Sequence, residues 1–400
     1  MGILRCAHAR CTLLLMSSVD LPPRLVGVIP GNPFDRLTWS GLSHHFFSAL
    51  ASTGALVGAV DSRGLPLLDY AARGMSFSRD RSLWRQRYML SPLRRAAMSW
   101  TGGRRVRRLD RSPDGLVQVG AWYRFDRMPG LRPRLRCSFH DGNLAVHLRR
   151  PDARLDPGSL TVRRALDSEK RLYDRLDLIF PMSEWLRRSF IEDFEQDPAK
   201  VIAVGAGANI HNVPTEPKRR FDPPRLMFVG RDFERKGGLT LLRAFRKVHA
   251  QWPEAELWIV GPERLPETVP GVRAFGRIMR NTQAGEEAID RLYRRATTYV
   301  MPSVYEPFGV AFLEAMAYRL PCVGANCCAM PEIIDEGSTG YLIPPSDSDA
   351  LADCLLRVIE DPARAQAMGE AGYRRFSERY TWVGVAGRIV ALVRDHAQKA

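Results

Sequence analysis

The sequence predicts an α/β protein of two domains, each built on an open sheet of parallel strands, and three observations predict it. Short apolar runs bounded by turn residues alternate with longer stretches of helical spacing, the alternation occurs twice, and a proline-rich stretch separates the two rounds. A chain of 400 residues is long enough for two ordinary domains, and 45% hydrophobic with 26% charged residues is a globular composition with sizeable cores.

In the first round Leu25–Ile29 reads as a strand, a loop runs from Pro30 to Ser40, and Gly41–Ser52 has helical spacing. Further strands are expected at Leu56–Val60, Leu116–Val119, Leu135–Phe139, Leu176–Phe180 and Val201–Val204, with Ser183 placed to cap a helix between the last two. Asn212–Pro224 carries four prolines without apolar periodicity and reads as the linker. The second round follows, with strands at Arg225–Val229, Glu256–Val260, Thr298–Met301, Pro321–Gly324 and Tyr341–Ile343. The expected division is an extension over 1–20, a first domain over 21–212, a linker over 213–224, a second domain over 225–381, and a closing helix over 382–400 that packs back on the first domain.

The formal charge is +15, and between Arg73 and Arg111 a dozen arginines meet only Asp80 and Asp110. Such a segment is either a solvated face or a surface for an anionic partner: phospholipid headgroups, a phosphorylated substrate or nucleic acid. Trp84, Tyr88 and Trp100 interleave with the arginines, but nothing there resembles a nucleic-acid motif, so no nucleic acid is expected. Seven cysteines without a CxxC pair or zinc-ligand spacing argue for a reducing compartment and against a disulfide framework, and the adjacent Cys327 and Cys328 do not easily bridge. Arg5 and Arg10 precede a brief apolar run, Leu13 to Met16, without a convincing cleavage site. No apolar stretch reaches the roughly 20 residues that span a bilayer. The expected location is therefore cytoplasmic, with any membrane association peripheral on the inner face of the plasma membrane.

Open parallel sheets bind ligands at the carboxyl ends of their strands, where helix N-termini offer N–H groups to phosphate. After the strand Arg225–Val229 comes Gly230-Arg231-Asp232-Phe233-Glu234-Arg235-Lys236-Gly237-Gly238, which sets Arg231 and Lys236 in a glycine-bounded loop. A guanidinium fork with a point-charge ammonium suits a diphosphate, though such a loop alone is more often solvated surface, and neither GxxxxGK[ST] nor GxGxxG is present. After Thr298–Met301 the chain reads VYEPFGVAFLEAMA. Pro307 falls near the first turn of a helix, where Phe308, Gly309 and Val310 would expose backbone N–H groups. Glu314 lies inside that apolar helix and needs a partner, either the vicinal hydroxyls of a ribose or a buried arginine.

VGRDFERKGG, PSVYEPFGVAFLEAMA with its Glu306-x7-Glu314 pair, PCVGANCCAMPEII, GSTGYLIPPSDSDALA and the closing GEAGYRRFSERYTW occur in the order found in family 4 retaining glycosyltransferases, and together they cover nearly the whole second domain. The chain therefore resembles that family, whose GT-B architecture sets two Rossmann-like domains face to face across a cleft. The resemblance implies that Arg231 and Lys236 bind the diphosphate of a UDP- or GDP-sugar, that Glu314 binds its ribose, and that Glu306 with the Phe308, Gly309 and Val310 backbone binds the transferred sugar. WSGLSHHFFSALASTG resembles the family's opening loop and helix, where Gly41 would allow close approach. His140, after the strand in Cys137-Ser-Phe-His140-Asp141-Gly-Asn143, looks like the active-site histidine, and is otherwise a structural one; His44 and His45 are weaker rivals. Where the family usually has two glycines before Pro-Glu, this chain has Cys328 and Ala329 before Met330-Pro331-Glu332, which implies a pocket narrower or shaped for another sugar.

Asp347-Ser348-Asp349 matches the Asp-x-Asp of metal-dependent transferases, but it immediately precedes the helical run Ala350–Val358 and serves as an N-cap. No metal or cofactor is expected, since Arg231 and Lys236 would neutralise the leaving diphosphate. Glu306 and Glu314 are eight residues apart, roughly 12 Å at helical rise, whereas glycosidase carboxylates stand about 5–5.5 or 6.5–9.5 Å apart. The resemblance implies retaining transfer of a hexosyl group to a saccharide or lipid-linked acceptor in bacterial polysaccharide or glycolipid synthesis. A non-catalytic sugar-nucleotide-binding relative and a basic nucleic-acid-binding protein are the alternatives.

Overall fold

The structure is a computed structural model that describes residues 22–110, 112–124, 133–210, 212–216 and 222–399. The expected extension over 1–20, part of the linker and Arg111 lie outside them. Two parallel sheets organise the chain. The first contains β1 (Leu25–Ile29), β2 (Leu56–Asp61), β3 (Gly115–Val119), β4 (Leu135–His140) and β5 (Leu178–Pro181) in the order β2-β1-β3-β4-β5. Its helices are α1 (Leu42–Ser52) between β1 and β2, α2 (Pro66–Met75), α3 (Arg81–Leu90) and α4 (Pro92–Leu109) between β2 and β3, α5 (Leu144–Leu148) and α6 (Leu160–Tyr173) between β4 and β5, and α7 (Glu184–Glu192) after β5. Buried residues fill β1, β3 and β5 end to end, as expected of strands covered on both faces.

The second sheet contains β6 (Arg225–Val229), β7 (Glu256–Val260), β8 (Val272–Ala274), β9 (Thr298–Met301), β10 (Cys322–Ala325) and β11 (Gly340–Ile343) in the order β11-β10-β9-β6-β7-β8. Helices α8 (Gly238–Gln251), α9 (Gln283–Arg295), α10 (Val310–Ala317), α11 (Met330–Ile333), α12 (Ser348–Glu360), α13 (Pro362–Arg379) and α14 (Trp382–Lys399) complete it. From β6 the chain winds outward through β7 to β8, returns to pair β9 with β6, and continues to β11. The junction of β6 and β9 is therefore a topological switch point, and the loops that leave these two strands open side by side at the carboxyl edge.

Helix α14 packs on α1. The Trp382 ring lies 6.0 Å from Phe46 and 6.3 Å from Phe139, and Val385, Ala386 and Ile389 are buried.

Three elements differ from expectation. Val201–Val204 is not a strand: Val201 forms a single bridge to Ile179, although the Ile202 and Val204 N–H groups still donate to the Ile179 and Pro181 carbonyls at the edge of β5, ahead of Gly205 at φ 78°. The three-residue β8 escaped notice because two of its residues are exposed and it carries no apolar run. Helices α3 and α4 were hidden by their arginines and α2 was also missed, yet proline opens α2 and α4, and Asp80 caps α3 by accepting from Ser82 and Leu83 N–H.

Candidate functional site

The loop after β6 is tightly seated. Gly237 adopts φ 77°, and a Cβ there would stand 2.0 Å from the Pro302 carbonyl oxygen, so a glycine is what lets the basic loop close over the end of β9. This contact carries Lys236 to Glu306: Nζ donates to Oε2 at 2.7 Å, with both side chains largely buried, at 16% and 13% exposed. Arg235 joins them, its Nη1 donating to the Tyr305 carbonyl at 2.6 Å and standing 3.8 Å from Glu306 Oε2. Arg231 stays on the exposed rim of the same loop, without an ion pair among the described residues. The sequence offered three cations in this loop, and the missed one, Arg235, is the second cation on Glu306. Spacing could not have selected it, because the direction of each side chain is set by how the loop folds onto Pro302.

Gly309, at φ 94°, is the N-cap residue of α10, with Phe308 buried beside it and Val310 opening the helix. Glu314 lies four residues inside and is 4% exposed. Its Oε1 accepts from Arg280 Nη1 at 2.7 Å, and its Oε2 from the Tyr293 hydroxyl at 3.1 Å. Of the two partners open to Glu314 in the sequence, an arginine is thus in place, though half-buried rather than buried. Burial opposes the charge on Arg280, yet the Glu314 carboxylate holds the guanidinium above its ordinary value. Arg280 also donates to the backbone carbonyl of Asn209, whose side chain accepts from Trp382 Nε1 at 3.1 Å and donates to the Ser40 carbonyl at 3.4 Å. Asn209 therefore ties Glu314's partner, the first loop and α14 together. It lies in irregular chain, so no pattern in the sequence marked it.

The first loop is strained. Trp39, Ser40 and Gly41 are successive left-handed residues at φ 49°, 57° and 87°, two of them not glycine. The run starts α1 at Gly41, whose absent Cβ would stand 3.2 Å from the Arg36 carbonyl oxygen, and turns the Trp39 indole to donate to Asp141 Oδ2 at 3.1 Å. Asp141 is the carboxylate of the first sheet that faces the centre. Its pKa is pushed up to about 6, by burial first and also by the Glu306 carboxylate opposite.

His140, one residue earlier, points the other way. It is wholly buried, its Nε2 2.8 Å from Ser138 Oγ and its ring edge-on to Tyr173 and Phe190 at 5.6 and 5.0 Å. Alternation along β4 sends neighbours to opposite faces, so one of the pair had to enter the core. Burial pushes the His140 pKa down to about 3. Between that value and the ordinary pKa of about 6.5 the unfolded chain binds a proton here that the folded chain does not, so stability falls as pH falls, by about 1 kcal/mol per pH unit. Urea unfolding of His140→Phe between pH 7 and 5 should show a shallower acid loss than the parent chain; equal slopes would refute the assignment.

His44 Nδ1 meets the Phe34 carbonyl at 2.9 Å, and the His44 and His45 rings lie edge to face on α1. Asp347 caps α12, accepting from Asp349 and Ala350 N–H at 3.0 and 2.9 Å, and Asp349 pairs with Lys247 at 2.5 Å. Glu332 reaches across to the first half, where its oxygens accept from the Glu184 and Trp185 N–H groups at 2.7 and 2.6 Å, at the N-terminus of α7. Lys236, Arg235, Glu306 and Tyr305 thus gather in the second half, within electrostatic reach of Asp141 and its partner Trp39 in the first.

Residues 223–361 match the family described as Glycosyl transferases group 1. The alpha-maltose-1-phosphate synthase of Mycobacterium tuberculosis (strain CDC 1551 / Oshkosh) is 31% identical over 187 residues, covering 43% of this chain and 48% of the relative. The chain thus spans about half the length of the curated relatives it matches. Among solved structures, sucrose-phosphate synthase from Thermosynechococcus elongatus superposes with a TM-score of 0.66 at 17% identity, over 94% of this chain and all of that one. Anabaena Alr3699/HepE, solved in complex with UDP and glucose, does so with a TM-score of 0.57 at 15% identity, over 93% of this chain and 99% of that one. The fold shared with these structures is GT-B, two Rossmann-like units facing each other across a cleft.

Proposed function

We propose that this chain, which carries a group 1 glycosyl transferase region in a GT-B fold, is a glycosyltransferase that moves a hexose from a nucleotide diphosphate sugar to an acceptor hydroxyl. The observation that carries the reading is the cluster of Lys236, Arg235 and Glu306 at the β6–β9 switch point, where phosphates are met by helix N-termini and loop cations. Lys236 and Arg231 hold the diphosphate, and Lys236 stabilises the charge that grows on it as the glycosidic bond breaks. Glu306 and the Phe308–Val310 backbone hold the sugar, and Glu314, oriented by Arg280, takes the ribose hydroxyls. With cations on the leaving group, the reaction needs no metal. The acceptor approaches from the first half past Gly41 and Asp141, and transfer retains the anomeric configuration, the departing phosphate helping to remove the acceptor proton. His140, buried in the core, shapes this wall through β4, and burial favours its uncharged form near neutral pH.

The HepE complex supports UDP as the nucleotide, with GDP the other candidate. Thermal unfolding against UDP-, GDP- and ADP-sugars tests the reading, because only a ligand that prefers the folded state raises the melting temperature. One donor should raise it and be turned over. No shift with any donor would sink the proposal, and a shift without transfer or hydrolysis would favour the non-catalytic alternative.

Helix α2 and the turn after it favour an acceptor carried on a membrane. Leu67, Tyr70, Met75 and Phe77 are 82%, 70%, 80% and 63% exposed, beside the exposed Arg79, Arg81, Arg85 and Arg87. Apolar side chains ringed by arginine suit an anionic bilayer surface. Nucleic acid fits less well, since Tyr88 is already flanked by Arg73 and Arg94, and Trp84 donates to the Arg73 carbonyl. Among the described residues no helix is long and apolar enough to cross a membrane. Binding to anionic liposomes at low salt should weaken at least about tenfold in Leu67→Ser/Phe77→Ser, whereas no binding by the parent chain would count against the surface. Such an acceptor would belong to bacterial glycolipid or polysaccharide synthesis, at the inner face of the plasma membrane.

A further inference from the structure

Tyr305 precedes Glu306 and is 5% exposed, yet its hydroxyl is enclosed without a hydrogen-bond partner among the described residues. A buried phenol usually finds a partner, because leaving it unmet forfeits the hydration it had in the unfolded chain. The backbone that carries it is held firmly. Val304 N–H donates to the Arg235 carbonyl at 3.1 Å, and Arg235 Nη1 donates back to the Tyr305 carbonyl at 2.6 Å. The ring is then gripped from the other half of the molecule. The Trp185 indole meets it edge to face at 6.2 Å, and the Arg150 guanidinium lies over it, 5.8 Å from its centre. Both groups are themselves anchored, Trp185 by donating its backbone N–H to Glu332 Oε1 at 2.6 Å and Arg150 by pairing with Asp152 at 2.6 Å. The hydroxyl therefore lies where the two halves face each other, within electrostatic reach of Asp141 and Arg150 in the first and Arg235 in the second.

We propose that Tyr305 is a sugar-binding residue of the cleft, its phenol donating a hydrogen bond to a hydroxyl of the saccharide that lies between the two halves. The assignment rests on the glycosyltransferase reading, and it adds a neutral donor to a centre otherwise made of charges and backbone. The chemistry of the ligand fits. A sugar presents hydroxyl oxygens that accept hydrogen bonds, and a few well-placed polar groups fix its orientation in a cleft. Burial, above all, holds the phenol above its ordinary pKa, so it remains a donor at neutral pH. Because the backbone and both sides of the ring are already held, the hydroxyl loses little freedom when a ligand takes it. The grip of Trp185 and Arg150 sets the phenol on the boundary between donor and acceptor sides. Its partner is a hydroxyl either of the transferred sugar or of the acceptor, which share this chemistry.

The test is Tyr305→Phe in the full-length chain, which removes the hydroxyl and keeps the ring. The probe is whichever of the UDP-, GDP- and ADP-sugars raises the melting temperature of the parent chain, with the matching nucleoside diphosphate as the control. Calorimetry gives both affinities, and turnover is followed as release of the nucleoside diphosphate. Removing an unmet hydroxyl should leave the melting temperature unchanged or raise it, and affinity for the nucleoside diphosphate should not change. Turnover should fall about tenfold. An equal fall in affinity for the nucleotide sugar assigns the phenol to the transferred sugar, and a fall in turnover with that affinity intact assigns it to the acceptor hydroxyl. Unchanged turnover would overturn the proposal. So would an equal loss of affinity for the nucleoside diphosphate, or a lowered melting temperature, which would show the hydroxyl already bonded within the fold. A parent chain that binds and turns over none of these sugars overturns the glycosyltransferase reading and this assignment with it, whereas an active parent with an unaffected variant overturns the assignment alone.

Discussion

Lys236→Met is expected to lower kcat/KM for the nucleotide sugar by about a hundredfold or more while the chain stays folded. The ammonium lies 2.7 Å from Glu306 at the β6–β9 switch point, and in the proposed reaction it meets the leaving diphosphate there. Losing a preorganised donor of this kind costs about 3–4 kcal/mol in the transition state. Methionine is the informative replacement because the lysine stem packs over Gly230, whose Cβ position lies 2.2 Å from Lys236 Cδ; the change removes the charge and keeps the stem. Arg235, 3.8 Å from Glu306, remains to hold the carboxylate. Steady-state rates alongside thermal unfolding check the claim, and wild-type turnover would remove Lys236 from the mechanism. Arg231→Ala should cost more than about tenfold. Glu306→Gln should impair transfer more than nucleotide binding, which calorimetry with the nucleoside diphosphate separates from turnover.

The second large effect is on stability. Arg280→Ala should destabilise the fold by about 3 kcal/mol or more, because it leaves Glu314, 4% exposed, with only the Tyr293 hydroxyl for its charge among the described residues. It also frees the Asn209 carbonyl and loosens the tie to Trp382 and Ser40. Glu314→Gln in the Arg280→Ala background should recover part of the loss, since the buried charge is gone; additive losses in urea unfolding would show that the two side chains act independently. On its own, Glu314→Gln should weaken both nucleotide binding and transfer, because one carboxylate would serve as the partner of Arg280 and as a ribose ligand. If it changes stability alone, Glu314 is structural and the ribose assignment falls.

The site was legible where its parts are local. The strand ends at Val229 and Met301, the glycines at 237 and 309 and the cap at Asp347 all follow from residues a few positions apart, and each was found from spacing and turn chemistry. It was not legible where two distant segments meet. No pattern distinguished Arg231 from Arg235, because which of them reaches Glu306 depends on the fit of Gly237 against Pro302. Nor could the histidine be separated from the aspartate beside it: His140 had the conspicuous chemistry, but the packing of Tyr173 and Phe190 draws it into the core and leaves Asp141 facing Glu306.

By itself the sequence determined two parallel α/β units, their order, and the loops at which ligands can be met, because hydrophobic period and turn residues act over a few positions. Only the tertiary structure decided which side chains enter the centre and with what charge. Arg280 finds Glu314 across 34 residues and Glu332 caps a helix 147 residues away in the first half, and such pairings are set by how whole layers pack.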